Sequence, residues 1–347
     1  MRLPPVECLD DVRAILADFP ARNDDTARIA AAREPQLTKP EGSLGRLEDI
    51  AKWLSAWQGK HPPTLKKPAA LIFAGNHGIA ERGVSAYPSE VTAQMVTNFV
   101  AGGAAINQLC RAFEIDLRIS EMALEEPTQD FLEAPAMEDD ECAGAIAFGM
   151  SAVNGKTDLL ILGEMGIGNT TAAAAICRAL FGGTTADWVG PGTGVEGEAL
   201  DRKVAVVAEG ITRHEAALTD GLEVLRHFGG REMAAIAGAV IGARLRHIPV
   251  MLDGYVCCAA AAPLQTVHPG ALDHCMVGHV SAEPAHEKLL GMIGHKGLLN
   301  LDMRLGEGSG AAVAVGLVKA AVACHTGMAT FHEAGVTAKS DHVVHRD

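Results

Sequence analysis

The chain has 347 residues, enough for one large α/β domain or for a large domain with a smaller one. Its formal net charge of -14 opposes a nucleic-acid surface, and an aromatic content of 4% leaves few stacking platforms for single strands. The 48% of hydrophobic residues is mostly aliphatic and comes with 38 glycines, which suits close-packed helices on a buried sheet rather than a sandwich or a disordered chain.

Residues 1–60 read as helical and polar. Leu44, Leu47, Ile50, Trp53, Leu54 and Trp57 recur at three- and four-residue spacing, which predicts a helix over 44–57 with Ser43 as its cap. His61-Pro-Pro63 ends it. The apolar run 69–74 predicts a buried parallel strand that feeds a loop at Gly75. Residues 90–110 read as a helix, 114–120 as a second strand, 121–140 as an acidic excursion and 141–156 as a helix. A third strand over 157–162 ends at Gly163, and a helix starts near Asn169. A Gly-rich loop spans 182–197, and helices fill 198–227 and 233–246. A short strand over 249–252 ends at Asp253 and leads into a helix over 256–262. Residues 268–284 are mixed, and the chain beyond His325 is polar.

The recurrence of strand, Gly loop and helix predicts an α/β fold with a doubly wound, mostly parallel sheet of Rossmann-like type. Ligands of such sheets sit beyond the carboxyl ends of the strands. Gly75-Asn76-His77, Gly163-Glu-Met-Gly166 and Asp253-Gly-Tyr255 are expected to border one crevice. The eight cysteines lie mostly in apolar stretches with no C-x-x-C pair, which predicts free thiols in a reducing, cytoplasmic setting. Asp10, Asp11 and Arg13 interrupt the start of the chain, so no secretory signal is expected. The Ala-rich run 310–323 holds Lys319 and reads as too short to span a membrane.

Several segments carry candidate chemistry. Arg304-Leu-Gly-Glu-Gly-Ser-Gly310 sets one carboxylate, Glu307, between two glycines that let backbone approach a ligand closely. Such a carboxylate suits a general base if a substrate excludes water around it; the plainer reading is a helix-start loop. Gly163-Glu-Met-Gly-Ile-Gly-Asn-Thr-Thr171 is a Gly-rich turn entering a helix, either a phosphate cradle or simple capping by Asn169 or Thr170. It lacks the lysine of a nucleotide P-loop, which disfavours ATP and favours a monophosphate or sugar phosphate. Gly192-Thr-Gly-Val-Glu-Gly197 fits G-x-G-x-x-G but follows a poor strand, so a dinucleotide fold is disfavoured. Lys203 follows this loop and suits a phosphate partner or an exposed position. His77 stands at a strand end, placed to donate a hydrogen bond to a substrate or to orient a neighbour. Ser85-Ala-Tyr-Pro88 suits the wall of a flat-ligand pocket or a packed turn. His268, His274, Cys275, His279 and His286 fit no tetrahedral zinc spacing and read as satisfied loop histidines.

Taken in order, these segments resemble the nicotinate-nucleotide–dimethylbenzimidazole phosphoribosyltransferase family. The resemblance rests on Lys39-Pro-Glu-Gly-Ser-Leu-Gly-Arg-Leu-Glu48, Phe73-Ala-Gly-Asn-His-Gly78, Gly83-Val-Ser-Ala-Tyr-Pro88 and Glu90-Val-Thr92. It continues through Gly102-Gly-Ala-Ala-Ile-Asn107, the 163–171 turn, Leu252-Asp-Gly-Tyr255 and the segment around Glu307. It implies a homodimer, with a large α/β domain over 61–310 and a smaller helical domain built from 1–60 and 311–347. It implies transfer of phosphoribose from nicotinate mononucleotide to 5,6-dimethylbenzimidazole, giving α-ribazole 5′-phosphate and nicotinate, with no cofactor, no metal, no nucleic acid and no membrane. Glu307 then takes the part of catalytic base, with Glu164 contacting ribose or placing the nucleophile. Phosphate contacts fall on Gly166, Ile167, Gly168, Asn169 and Thr170, on Gly190, Gly192 and Gly194, and on Lys203. The base pocket falls near Ser85, Met95, Leu305 and Glu307, and the segments read above add Tyr87, His77 and Asp253 as further substrate contacts. The family pattern carries Asp where this chain has Asn76 and, in some members, Gln where it has Met95. Those departures keep open transfer to adenine or a phenolic acceptor. A non-catalytic mononucleotide-binding protein is the third reading.

Overall fold

The structure is a computed structural model that describes residues 3–338. The chain divides into two compact units. One joins the described part of Met1–Ala21 to Lys66–Val315, and the other joins Arg22–Leu65 to the described part of Gly316–Asp347. Residues 3–21 thus fall with the large unit, not with the small helical one expected for 1–60. Their helix, Leu9–Ala17, buries Leu9, Val12 and Leu16 in the large unit's core.

The large unit is built on six parallel strands: β1 (Pro68–Ala74), β2 (Asp116–Glu121), β3 (Leu159–Met165), β4 (Val250–Leu252), β5 (Cys275–Val280) and β6 (Gly297–Asn300). Their order is β2-β1-β3-β4-β5-β6, and every pairing is parallel. This is the doubly wound arrangement, with order reversing at β1. β1 is buried along its whole length, as a strand with helices on both faces must be. Apolar helices Asn169–Phe181, Arg231–Leu245 and Tyr255–Val267 supply most of the alanines of the large unit's main core cluster, which let helix backbones pack closely.

Several boundaries differ from the sequence reading. β3 runs on through Gly163 and Glu164, so Glu164 projects from a strand rather than a loop. The helix expected over 90–110 is two, Glu90–Ala101 and Ala105–Phe113, because Gly102 takes φ 80° and ends the first. Ser43 caps nothing: the helix is Arg46–Gln58, with Gly45 before it and no side-chain cap. β5 and β6 escaped sequence reading altogether.

Gly163 decides where the Glu307 loop can lie. A Cβ on it would stand 2.3 Å from the Gly308 nitrogen and 2.6 Å from the Glu307 carbonyl carbon. Gly163→Ala therefore forces backbone apart. We expect it to lose about 1–3 kcal/mol of stability by overpacking, together with most turnover, checked by thermal melting and a rate assay.

The helix Ser309–Gly327 is longer than the sequence run suggested. Its 19 residues make it long and apolar enough to cross a membrane by length and composition, with 44% of its most apolar window buried. Core helices pass the same test. Ala311, Ala312, Ala314 and Val315 in its first turns are buried in the protein.

The smaller unit explains the segment 39–48. Lys39 Nζ lies 3.0 Å from Glu34 and 2.7 Å from Glu48, and His325 Nδ1 lies 2.6 Å from the same Glu34. All four side chains are buried. A buried ion network of this kind fixes which partners meet more than it adds net stability.

Candidate active site

The carboxyl ends of β3, β4 and β5 open into a cavity of about 480 Å³. Glu164, Met165 and Gly166 come from β3 and the turn after it, and Asp253 to Val256 follow β4. His279, Ser281 and Glu283 come from the end of β5 and the loop after it, and Arg304 to Glu307 close one side. Val91, Met95 and Tyr87 add an apolar wall. Of the three strand ends expected to meet, those of β3 and β4 do. The third place belongs to β5, not to Gly75-Asn76-His77.

Glu307 is held in an uncommon backbone state, φ 62°, in the left-handed region that costs a residue with a Cβ about 1–2 kcal/mol. The protein over-determines it. The Glu307 N–H donates to the Glu164 carbonyl at 3.3 Å. Asp253 accepts from the Gly308 N–H at 3.1 Å and from the Ala311 N–H at 2.8 Å, one on each carboxylate oxygen. Glu307 is 5% exposed, and among the described residues its Oε2 has no hydrogen-bond partner. Burial pushes its pKa above the usual glutamate range, the Ile106 N–H pulls it back, and the Asp253 charge raises it further. A buried, weakly held carboxylate facing a cavity is suited to accept a proton.

Glu164 lies deeper. Burial, then Glu232 and Asp253, push it up to about 8, against a hydrogen bond from the Asn169 amide. It is therefore a neutral acid at pH 7, able to donate a hydrogen bond. Glu164→Gln keeps both size and neutrality, so turnover is expected to stay within about tenfold of the parent, read in the same assay as Glu307 variants.

The turn after β3 leads straight into helix Asn169–Phe181. Gly168, at φ 96°, turns the chain where a side chain would strain. Thr92 Oγ1 accepts the Ile167 N–H at 3.2 Å. Among the described residues, the Gly168 and Thr170 N–H groups meet no protein acceptor, so both remain for an anion at this helix start. Lys203 is fully buried and donates to Thr170 Oγ1 at 2.8 Å and to the Gly190 carbonyl at 3.0 Å. It ties the 190–194 loop to the turn and keeps a third N–H. Burial drops it to about 8, and Glu283 opposes that drop.

Eleven predicted residues line the cavity: Glu307, Glu164, Tyr87, Met95, Gly166, Ile167, Asn169, Thr170, Gly192, Asp253 and Leu305. Others stand behind it. His77 does not face the cavity; its Nε2 lies 2.6 Å from Glu232 Oε1, both buried. Ser85 is not in the lining, but its Oγ pairs at 3.1 Å with Oγ1 of Thr193, which is. Gly168, Gly190, Gly194 and Lys203 are not in the lining, but Lys203 Nζ bonds Thr170 and lies beside Gly192, which are. Asp253 engages both of its oxygens with the Glu307 loop, so its first task is to hold that loop. His268 and His274 lie in the loop before β5 as expected, but the other two histidines do not. His279 is on β5 and His286 on helix Ala285–Met292, where Nδ1 accepts the Ser281 N–H at 2.8 Å. Among the described residues no group of three or more metal-ligating side chains converges. Sequence reading missed Thr193, His279, Ser281, Glu283 and Arg304. The signal for three of them was the strand β5, whose end sits beside that of β4.

An anion cradle and a buried proton acceptor sharing one cavity, beyond the strands of a doubly wound sheet, define an enzyme that works on a small phosphorylated molecule. The family model described as a phosphoribosyltransferase matches residues 19–336. The chain is 59% identical over 331 residues to the nicotinate-nucleotide–dimethylbenzimidazole phosphoribosyltransferase of Methylocella silvestris, covering 95% of this chain and 97% of that one. It is 57% identical to the protein of the same name from Allorhizobium ampelinum, covering 96% and 98%. A crystal structure of CobT from Thermus thermophilus superposes with a TM-score of 0.85 at 40% identity, covering 91% of this chain and all (100%) of that one. The chain belongs to the nicotinate-nucleotide–dimethylbenzimidazole phosphoribosyltransferase family.

Proposed function

We infer that the chain transfers phosphoribose from nicotinate mononucleotide to 5,6-dimethylbenzimidazole. The observation that carries this reading is that one cavity holds both an anion cradle, at Gly166, Ile167, Asn169, Thr170 and Gly192, and a buried carboxylate, Glu307. The nucleotide is polar, with a dianionic phosphate at one end and a cationic ring nitrogen on C1′ at the other. The cradle amides and the spare Lys203 N–H hold the phosphate. Carboxylates Glu307 and Asp253 face the cationic end.

The reaction then needs little beyond placement. The unprotonated nitrogen of the benzimidazole attacks C1′ and forms the new C–N bond. The bond to nicotinate breaks, and its electron pair returns to the pyridine nitrogen, which leaves uncharged. The acceptor's other nitrogen gives its proton to Glu307. Val91, Met95 and Leu305 supply an apolar wall for the flat acceptor. Met95 offers no amide for a hydrogen bond, which suits a methylated ring better than adenine.

The matching experiment mixes the chain with both substrates and follows nicotinate by chromatography. Nicotinate is expected only when the acceptor is present, in equal amount to α-ribazole 5′-phosphate. Tight nucleotide binding without acceptor-dependent release would overturn the reading. We also propose a homodimer in the cytoplasm, free of nucleic acid and membrane. All eight cysteines being free thiols supports the compartment, and light scattering tests the dimer.

A further inference from the structure

His279 takes no part in the chemistry above, yet it is built into the site. It lies near the end of β5, is 1% exposed, and lines the cavity. Among the described residues neither ring nitrogen has a hydrogen-bond partner. Leaving buried polar atoms unpaired costs about 1–3 kcal/mol each, so the position needs a reason.

Two glycines fix the ring. A Cβ on Gly310 would stand 2.0 Å from His279 Cδ2, and one on Gly254 would stand 3.1 Å from Nε2. The imidazole lies in a slot between the two backbones. Its neighbour His286 offers it nothing, since Nδ1 accepts from Ser281 and Nε2 faces Cys258 Sγ at 3.4 Å. What remains is Asp253 Oδ1, 3.6 Å from Nε2. That is about 0.6 Å longer than an ordinary N–H···O contact. A carboxylate has about four acceptor sites, and Asp253 meets the Gly308, Gly310 and Ala311 N–H groups, which leaves room for a further donor. Asp253 in turn grips the amides on the C-terminal side of Glu307.

We propose that His279 is a positioning residue: its Nε2–H closes onto Asp253 Oδ1 when substrates fill the cavity, and so fixes the turn that aims Glu307. The proposal rests on the base role of Glu307 given above. His279 then acts through Asp253 and not on the substrate.

The test uses the full chain with His279→Gln, which keeps an N–H donor, and His279→Met, which does not. For His279→Met, kcat is expected to fall by roughly 10- to 100-fold with KM for nicotinate mononucleotide within about twofold, and His279→Gln to recover to within about fivefold of the parent. In a Glu307→Gln background the same His279→Met change is expected to cost less than about twofold, because the base it aims is gone. An unchanged kcat, a raised KM with kcat intact, or an equal loss in the Glu307→Gln background would overturn the proposal. If His279→Met does not fold, histidine-labelled parent protein decides by nuclear magnetic resonance. One imidazole N–H is expected to move downfield on addition of nicotinate mononucleotide and acceptor analogue, and to be absent in His279→Gln; no shift sinks the idea. Parent protein that releases no nicotinate would instead remove the function reading itself.

Discussion

Glutamine in place of Glu307 is expected to lower kcat by about 10²- to 10⁴-fold, the range a positioned general base supplies. KM for nicotinate mononucleotide should change little, because the phosphate end of the cavity is untouched. Glutamine keeps the shape of the side chain and leaves the Asp253 grip on Gly308 and Ala311 in place. It cannot take a proton at a carboxylate oxygen. Turnover of the parent should also fall in acid. Glu307 is raised above the ordinary glutamate range by burial. It must be ionised to act, so activity is present above its pKa and is lost as pH falls through it. The acid limb should lie higher than for an exposed glutamate and should vanish in Glu307→Gln. Residual turnover within about tenfold of the parent, from folded protein, would remove the base assignment.

The fold was legible where local signals were strong. β1 is a buried apolar run that stops at a glycine, and its start was placed to within one residue. The turn before Asn169 announces itself by glycines and small polar residues. β5 was not legible, for a physical reason. Gly278 breaks its apolar run, and a Cβ there would stand 2.5 Å from Ala311 Cα. The residue that spoils the strand pattern is the one that lets the Glu307 helix approach. β6 has only four residues, Gly297–Asn300, and sits at the sheet edge, too short for alternation to show. Missing β5 hid His279, Ser281 and Glu283.

The site divides in the same way. Glu307 stood out because glycines flank it, and the cradle because it precedes a helix. His77 misled because a histidine at a strand end has the right address. Only tertiary packing shows its partner, Glu232, which starts the distant helix Arg231–Leu245. Asp253 likewise looked like a ligand contact. It does line the cavity, but its oxygens also serve amides that sequence places 55 and 58 residues away.

Methionine in place of Lys203 should separate function from stability. The ammonium is fully buried, and its nearest acidic influence, Glu283, forms no ion pair with it among the described residues. Burial lowers its pKa from 10.5 to about 8. A base depressed in this way destabilises the folded state while it stays charged. The penalty is full below pH 8 and fades between 8 and 10.5, where the unfolded lysine also loses its proton. At about 1.4 kcal/mol per unit it amounts to roughly 3 kcal/mol near neutrality, offset in part by hydrogen bonds to Thr170 and Gly190. An enzyme keeps such a group only if it is needed. Lys203→Met is thus expected to melt at or above the parent temperature at pH 7. Its kcat/KM for nicotinate mononucleotide should fall by about 10²- to 10³-fold, the loss of one charge-assisted contact in a closed site. In the parent, kcat/KM should drop as pH rises through about 8, where Lys203 loses charge and Glu164 gains it. Lys203→Met should remove the lysine's share of that limb. A variant that is active but unstable would show that Lys203 serves the fold and not the phosphate.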